Sequence, residues 1–351
     1  MDSNKKDDHL KLTRKFYKDV NFSDFDNLKY IYHSFPEIGV NDVDIKTNIS
    51  GFNLNHPFFI NAMTGGSDKT KLINQKLAII ARETDTLMAS GSLSAALKDK
   101  SLENSFKIIR KENPKGIIFA NLGAEHSLDN VKKAIEIIDA DGIQIHINSI
   151  QELIMPEGDR NFKGWLKNIE KIILGLDIPV IVKEVGFGMS SRTIKELVDM
   201  GVSTIDISGR GGTNFAKIEN YRREKKEYNY LEYFGQSTVE SLLEGGTYSA
   251  KVDIIASGGI RNPLDVVKSL SLGAKAVGLS AFILDLALEL GVDKTIEILE
   301  SWKYQIKIIM TLLGSKNISN LTKTDVLIYN NLKDYAELRG IDIKKYANRS
   351  K

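Results

Sequence analysis

The chain has 351 residues, of which 42% are hydrophobic and 27% are charged, and this globular composition excludes a disordered, collagen-like or coiled-coil protein. Its 48 Lys and Arg residues nearly balance its 46 Asp and Glu residues, so the formal net charge of +2 predicts no binding to nucleic acid or to an anionic membrane. Because the sequence contains no cysteine, disulfides, thiolate metal sites and cysteine nucleophiles are excluded.

The first 56 residues are charged at the start and then rich in aromatic and turn-forming residues. They contain no apolar stretch of signal-peptide length, and no uninterrupted apolar run of about 18 residues occurs in the sequence. We therefore expect a soluble, cytoplasmic protein in which residues 1–56 form an N-terminal extension that packs on the rest of the domain.

Eight short apolar runs occupy residues 57–280, and each is followed by small or polar residues and then by a segment of helical period. The runs are PFFINA (57–62), TLMAS (86–90), GIIFANLG (116–123), GIQIHIN (142–148), IPVIVKE (178–184), VSTIDIS (202–208), VDIIASGG (252–259) and AKAVGLS (274–280). Eight such units favour a closed (β/α)8 TIM barrel, although an open doubly wound sheet has the same local pattern. We predict an α/β fold in a single domain, 1–351, with the barrel at 57–310 and a helical C-terminal tail at 311–351.

Polar residues follow the apolar runs, at the ends of the predicted strands where barrel enzymes carry their sites. Gly258-Gly259 after the seventh run and Ser280-Ala281 after the eighth present bare backbone N–H groups near a helix N-terminus. This context favours a phosphate site, for FMN or for a phosphorylated substrate, over a simple tight turn.

Three further features have open interpretations. Lys183, at the end of the fifth run, is a Schiff-base nucleophile, a surface residue that points outward or a cation that compensates an anionic cofactor. Glu152, beside Gln151, is either a Mg²⁺ ligand or a solvated carboxylate. The polar insertion KIENYRREKKEYNYLEYFGQ (217–236) is a lid, an extended loop or a solvated charged helix.

Taken together, the motifs resemble those of the type 2 isopentenyl-diphosphate isomerases, flavin-dependent barrels of isoprene biosynthesis that interconvert isopentenyl diphosphate and dimethylallyl diphosphate. The motifs are KKDDHL near the N-terminus, MTGG (63–66), GSLSAAL (91–97), ANLG (120–123), HINSIQE (146–152) with PEGD following, IVKEVGFG (181–188), DISGRGGTN (206–214), ASGGIRNPLD (256–265) and TLLGSKNI (311–318). The resemblance runs nearly end to end, and HINSIQE followed by PEGD is its most specific part.

The resemblance implies an FMN over the strand ends, kept reduced by NADPH and used as an acid/base cofactor in a reaction with no net redox change. The residues that would surround the FMN are Ala62, Met63, Thr64, Ser92, Asn121, Lys183, Ser208, Thr213, Gly258, Gly259, Arg261, Ser280 and Ala281. It also implies a homo-oligomer, either a tetramer or an octamer.

On the substrate side, the resemblance implies that isopentenyl diphosphate is bound by Lys5, Lys6, His9, Ser94, His146, Asn148 and Gln151, with Mg²⁺ on Glu152. The catalytic residues would be Gln151, Lys183, Asn148 and Glu219. This chain departs from many relatives, which have arginine at the position of Lys5, and from some that have arginine at Ser94 and tryptophan at Phe215. Because arginine and lysine bind phosphate differently, the departures change the expected diphosphate contacts.

Other flavin barrels offer alternative functions. The 2-hydroxyacid oxidases need a catalytic histidine after a late strand, and the corresponding segment here, SGRGGTN (208–214), contains none. Barrels that resemble inosine-monophosphate dehydrogenase need a cysteine nucleophile, which this chain lacks. A non-catalytic protein that binds flavin or phosphate on a degenerate barrel is the remaining alternative.

Overall fold

The computed structural model describes residues 2–17 and 23–351, apart from the side chains of residues 2–8 and 17. The helices are α1 (Asp2–Tyr17), α2 (Asp68–Glu83), α3 (Ser94–Lys98), α4 (Asn104–Glu112), α5 (Leu128–Ile138), α6 (Ser149–Ile154), α7 (Trp165–Leu174), α8 (Ser191–Asp199), α9 (Phe215–Arg222), α10 (Thr238–Gly245), α11 (Pro263–Ser271), α12 (Ala281–Glu289), α13 (Gly291–Leu312), α14 (Ile318–Leu321), α15 (Asn330–Leu338) and α16 (Ile343–Ala347). The strands are β1 (Leu28–Tyr30), β2 (Thr47–Ile49), β3 (Phe52–Leu54), β4 (Phe58–Ile60), β5 (Met88–Ala89), β6 (Ile118–Gly123), β7 (Gly142–His146), β8 (Val180–Lys183), β9 (Thr204–Asp206), β10 (Asp253–Ser257), β11 (Ala276–Leu279) and β12 (Val326–Ile328).

Strands β4 to β11 form a closed parallel barrel in chain order, with β11 paired to β4. Each of the eight apolar runs contains one of these strands, so the predicted barrel is confirmed and the open sheet is wrong. The strands are almost entirely buried because side chains on one face fill the barrel and those on the other meet the surrounding helices.

The polar residues after the strands also start the helices that follow. Several helices, among them α2, α5, α8, α10 and α11, begin after a residue whose side chain accepts a hydrogen bond from the N–H of the third helical residue. In these five helices the capping residues are Ser67, Ser127, Ser190, Ser237 and Asn262. Such caps satisfy N–H groups that have no partner inside the helix, and they explain why the chain turns from strand to helix at these points.

The N-terminal ends of the barrel strands are covered by the β2–β3 hairpin. Its Thr47 hydroxyl donates to the carbonyl of Lys275, just before β11, and its buried Ile49 and Leu54 pack with Phe59 inside the barrel. The open end of the barrel is therefore the opposite one, where the strands finish.

Both ends of the chain pack against the barrel. Strand β1 pairs antiparallel with β12, and Phe25 and Leu28 belong to the same buried core as the barrel helices. The division into an extension at 1–56, a barrel at 57–310 and a tail at 311–351 stays a prediction. Among the described residues, no helix combines the length and the apolar character needed to cross a membrane.

The insertion at 217–236 is partly helical. Helix α9 begins after Asn214, whose side chain accepts from the N–H of Lys217, and Ile218 and Glu219 on this helix are fully buried. The interpretation as a solvated charged helix is therefore wrong for this part, whereas residues 224–227 are exposed. Whether the insertion acts as a lid stays an open prediction.

Candidate active site

A cavity of about 860 Å³ lies at the C-terminal ends of the barrel strands, and His9 and Leu10 of α1 and Phe282 of α12 also line it. The predicted residues that line it are His9, Ala62, Met63, Thr64, Ser92, Ser94, Asn121, His146, Asn148, Gln151, Glu152, Lys183, Ser208, Thr213, Gly258, Gly259, Arg261, Ser280 and Ala281. Lys5 and Lys6 lie on α1, but their side chains are outside the described part of the chain. The structure thus brings nearly all predicted site residues to one cavity.

Two glycine-rich loops meet at one side of the cavity. Gly258 and Gly259 have φ values of +91° and +74°, and a side-chain carbon at Gly258 would lie 2.1 Å from the carbonyl oxygen of Gly209. A carbon at Gly259 would lie 2.9 Å from the Cα atom of Gly211. Only glycine fits these positions, so the loops offer bare backbone to the cavity.

The N-terminus of α12 lies beside these loops. Ser280, which precedes the helix, makes no capping hydrogen bond through its side chain to any described residue. The first N–H groups of α12 thus remain available at the positive end of the helix dipole, where a phosphate group binds favourably. This side of the cavity fits the phosphate of FMN.

Arg261 lines the same side, but its guanidinium group is held by carboxylates. Its Nη1 and Nη2 atoms lie 2.9 and 2.7 Å from the two carboxylate oxygens of Asp26, and its Nε donates to Asp265 at 2.8 Å. The hydrogen bonds that Arg261 donates to these two carboxylates raise its pKa. In this arrangement the Arg261 side chain links the segment before β1 to the loop after β10. Its charge is paired with carboxylates instead of being free in the cavity.

Lys183 is only 6% exposed and lines the cavity, so the interpretation that it points outward is wrong. The strand register places it between His146 and Asp206. Burial lowers the pKa of Lys183, while the charges of Asp206 and Glu184 oppose that effect. Its Nζ donates to the carbonyl of Glu184 at 2.6 Å. The Lys183 side chain is therefore buried and held in place at the centre of the strand ends.

Sequence analysis missed a polar network inside the barrel. His146 Nδ1 lies 2.8 Å from Asn121 Oδ1, and Asn121 donates to Gln144 at 3.1 Å. Gln144 donates to Asn61 at 3.0 Å, and Asn61 donates to Asp206 at 2.7 Å. The available signal was a polar residue in the middle of an apolar run, as Gln144 is in GIQIHIN. The network fixes the orientation of Asn121 and His146 at the cavity floor.

Helix α6 holds the carboxylate that was predicted to bind Mg²⁺. Asn148 Nδ2 donates to Glu152 Oε1 at 2.9 Å, and the N–H of Asp159 donates to Oε2 at 2.8 Å. Asn148 Oδ1 is buried without a hydrogen-bond partner among the described residues. No group of three or more acidic or histidine side chains in residues 9–16 and 23–351 is arranged to hold a metal ion. A Mg²⁺ ion on Glu152 would therefore need ligands from substrate phosphate and water, as is common for this metal.

Glu219 is not among the described residues that line the cavity, although it contacts two that do. It is fully buried, with Gln151 Nε2 and His9 Nε2 at 3.0 and 2.9 Å from its Oε1 atom. Arg222 Nη1 donates to the other oxygen at 2.5 Å. Burial acts to raise the pKa of Glu219, but contacts with His9, Gln151 and Arg222 outweigh it and hold the pKa below its usual value.

A second set of missed residues lies near Ser94. The Ser94 hydroxyl is 2.7 Å from His126 Nε2 and 2.9 Å from the Ser92 hydroxyl. Lys98, one turn further along α3, lines the cavity together with Glu125. Burial raises the pKa of Glu125, and the charges of Glu152 and Asp159 add to this rise. The signal for Lys98 was its spacing of four residues from Ser94, which puts both on one face of the helix.

The chain is similar in sequence to known families. A family model described as FMN-dependent dehydrogenase matches residues 95–328. A protein of Staphylococcus epidermidis named isopentenyl-diphosphate delta-isomerase is 48% identical over 341 residues, which cover 97% of each chain. Proteins of the same name from Latilactobacillus sakei and Staphylococcus aureus are 48% and 45% identical over the same share of each chain.

The fold is similar to that of solved flavoproteins. A flavocytochrome b2 variant with sulfite bound has a TM-score of 0.64 and 20% identity, covering 88% of this chain and 77% of that chain. A mandelate oxidase variant with a monooxide FMN adduct has a TM-score of 0.64 and 18% identity, covering 88% of this chain and 91% of that chain. At such low identity the likeness shows a shared barrel fold.

Proposed function

Because this chain belongs to the isopentenyl-diphosphate delta-isomerase family and is therefore an isomerase, we propose that it interconverts isopentenyl diphosphate and dimethylallyl diphosphate by a 1,3-allylic proton transposition with reduced FMN. The observation that carries the proposal is that one cavity joins the bare glycine backbone beside the N-terminus of α12, a buried lysine and the Asn148-to-Glu152 segment. A protein that only bound flavin would not need the Asn148-to-Glu152 segment.

On the flavin side, the glycine loops at Gly258 and the N-terminus of α12 would hold the FMN phosphate by backbone N–H groups. Lys183 would lie at the flavin ring, where its charge stabilises the negative charge of the reduced form. When bound, reduced FMN supplies a proton donor and acceptor beside the alkene, a base too weak for ordinary side-chain acids.

On the substrate side, His9, His146 and Asn148 would bind the diphosphate, and Glu152 would bind it through Mg²⁺. Lys98 joins this group because it lines the cavity and forms no ion pair with a described residue, whereas Arg261 is occupied by Asp26 and Asp265. Local cations and Mg²⁺ would thus neutralise the diphosphate in a chain with a net charge of only +2. Lys5 and Lys6 are proposed as further contacts of the diphosphate.

Gln151 would act next to the alkene. Its amide does not titrate, so its role is to present a fixed dipole rather than to exchange a proton. Glu219 accepts from Gln151 Nε2, which leaves Oε1 as the atom able to approach a developing positive charge. Asn148, whose Nδ2 lies 3.4 Å from that Oε1 atom, would keep the amide at the cavity wall.

Two further features belong to the proposal. NADPH would be the reductant that keeps the FMN reduced, and the protein would assemble as a homo-oligomer of four or eight chains. Anaerobic reduction of the bound flavin by NADPH, followed by absorbance, tests the first. Size-exclusion chromatography with light scattering tests the second, and a monomeric mass would contradict it.

The isomerase function is tested by an anaerobic conversion assay with FMN, NADPH, Mg²⁺ and isopentenyl diphosphate. We expect dimethylallyl diphosphate to form only when both FMN and the reductant are present. The controls omit FMN, NADPH or Mg²⁺ in turn. Tight FMN binding without any conversion would refute the proposal and favour a non-catalytic flavin-binding protein.

A further inference from the structure

Arg222, at the end of α9, joins two carboxylates on different segments. Its Nη1 atom donates to the fully buried Glu219 at 2.5 Å, and its Nη2 atom donates to Glu157 at 2.6 Å. Glu157 lies in the loop after α6, whereas Glu219 is one turn before Arg222 on its own helix. The guanidinium group thus links the insertion helix to the loop that follows Gln151 and Glu152.

The charge on Glu219 determines what its neighbours can do. An ionised carboxylate accepts hydrogen bonds only, so it requires Gln151 to turn its NH₂ group inward, and its Oε1 atom lies 2.9 Å from His9 Nε2. A buried carboxylate without a cation would be strongly disfavoured and would tend to become protonated or to move. Arg222 supplies the cation and, through Glu157, fixes its own position.

From this geometry we propose that Arg222 is a positioning residue for the isomerisation, because it fixes the carboxylate that orients Gln151 and His9 at the cavity wall. The inference rests on the proposed isomerase function. Arg222 would contribute to that function without contacting the substrate, because its guanidinium group contacts Glu219 and Glu157.

The groups that face Glu219 come from three directions. His9 approaches from α1 and Gln151 from α6, while Arg222 lies on the same helix. Glu157 acts on this cluster through Arg222. Removal of Arg222 takes away the guanidinium that contacts the buried Glu219 carboxylate, so Glu219 would bind a proton more readily.

The test compares Arg222→Met and Arg222→Lys with wild-type enzyme in the anaerobic conversion assay. We expect kcat of Arg222→Met to fall about 10- to 100-fold, because an interaction that orients groups at the reacting centre acts mainly on turnover. The affinity for FMN should stay within about twofold, since Arg222 does not line the flavin side. Lysine should restore part of the rate, because it keeps the charge but lacks the fork that reaches both carboxylates.

The neighbouring Arg223 provides a matched control. It also connects α9 to α6, through the carbonyl of Ile154 at 3.0 Å, but it pairs with Glu227 instead of Glu219. Arg223→Met should therefore keep kcat within about threefold. Equal losses of kcat in Arg223→Met and Arg222→Met would mean that anchoring of the helix alone matters, and would overturn the inference.

The pH dependence of kcat would not change if Arg222 had only a structural role, so it distinguishes the two roles. If ionised Glu219 is required, the acid limb of kcat should shift to higher pH in Arg222→Met and stay in place in Arg223→Met. Should Arg222→Met fail to fold, Glu157→Gln removes the outer anchor and should lower kcat in the same direction by about two- to fivefold. If the wild-type enzyme is active and Arg222→Met and Glu157→Gln both keep its kcat and its acid limb, the inference is overturned and the proposed function stands. If the wild-type enzyme is inactive, the inference and the proposed function are both overturned.

Discussion

Alanine at Gly258 should weaken FMN binding through a steric conflict that can be calculated from the backbone. The new methyl group would lie 2.1 Å from the carbonyl oxygen of Gly209, and the residue would keep a φ of +91°. Since the conflicting atom is backbone, the loop must move away from the phosphate side of the cavity. Loss of one or two charge-assisted N–H contacts costs roughly 1–3 kcal/mol, which corresponds to FMN binding about 5- to 150-fold weaker.

Gly201 offers a control with the same backbone strain and no conflict. Its φ is +92°, and no described atom lies within 4 Å of a carbon built there, at the turn between α8 and β9. Gly201→Ala should cost about 1 kcal/mol of stability and leave FMN binding unchanged. The assay is titration of flavin-free protein with FMN, followed by quenching of flavin fluorescence. Equal FMN affinity in Gly258→Ala and Gly201→Ala would refute the assignment of the phosphate side.

Three other changes test individual side chains. Lys183→Met should lower turnover at least 100-fold with bound FMN retained, because the cation near the reduced flavin is lost; near-normal turnover would contradict its electrostatic role. Glu152→Gln should raise the Mg²⁺ concentration required for half-maximal activity about tenfold or more, and an unchanged Mg²⁺ titration would exclude it as a ligand. Lys98→Met should raise KM for isopentenyl diphosphate about 3- to 10-fold at constant kcat. The control is Lys100→Met, at an exposed residue, which should leave KM unchanged. Equal KM values in the two variants would exclude Lys98 from the diphosphate site.

The barrel was predictable from sequence because its determinants are local. Each strand is a short apolar run, and a serine or asparagine often caps the next helix, as Ser127 does for α5. The ends of parallel strands meet in space whatever the loops do, so residues such as Asn121 and Lys183 could be assigned to one site.

The side-chain partners in the site were not predictable, because they join distant parts of the chain. Arg261 lines the cavity, but its guanidinium group also pairs with Asp26, 235 residues away in the N-terminal segment. Glu219 was expected in the cavity but lies buried against Gln151, since the direction of α9 depends on contacts with α6 and α1. No pattern in a single sequence encodes such pairings.

Closure of the barrel by the pairing of β4 with β11 has a consequence for synthesis of the protein. Phe58 cannot meet Val277 until more than 200 further residues have left the ribosome, which takes on the order of tens of seconds at typical elongation rates. During that interval the outer edge of β4 has unpaired N–H and C=O groups and exposed phenylalanine side chains. The nascent chain is therefore vulnerable to aggregation until its last barrel strand emerges, and a holding chaperone would be most useful in that period.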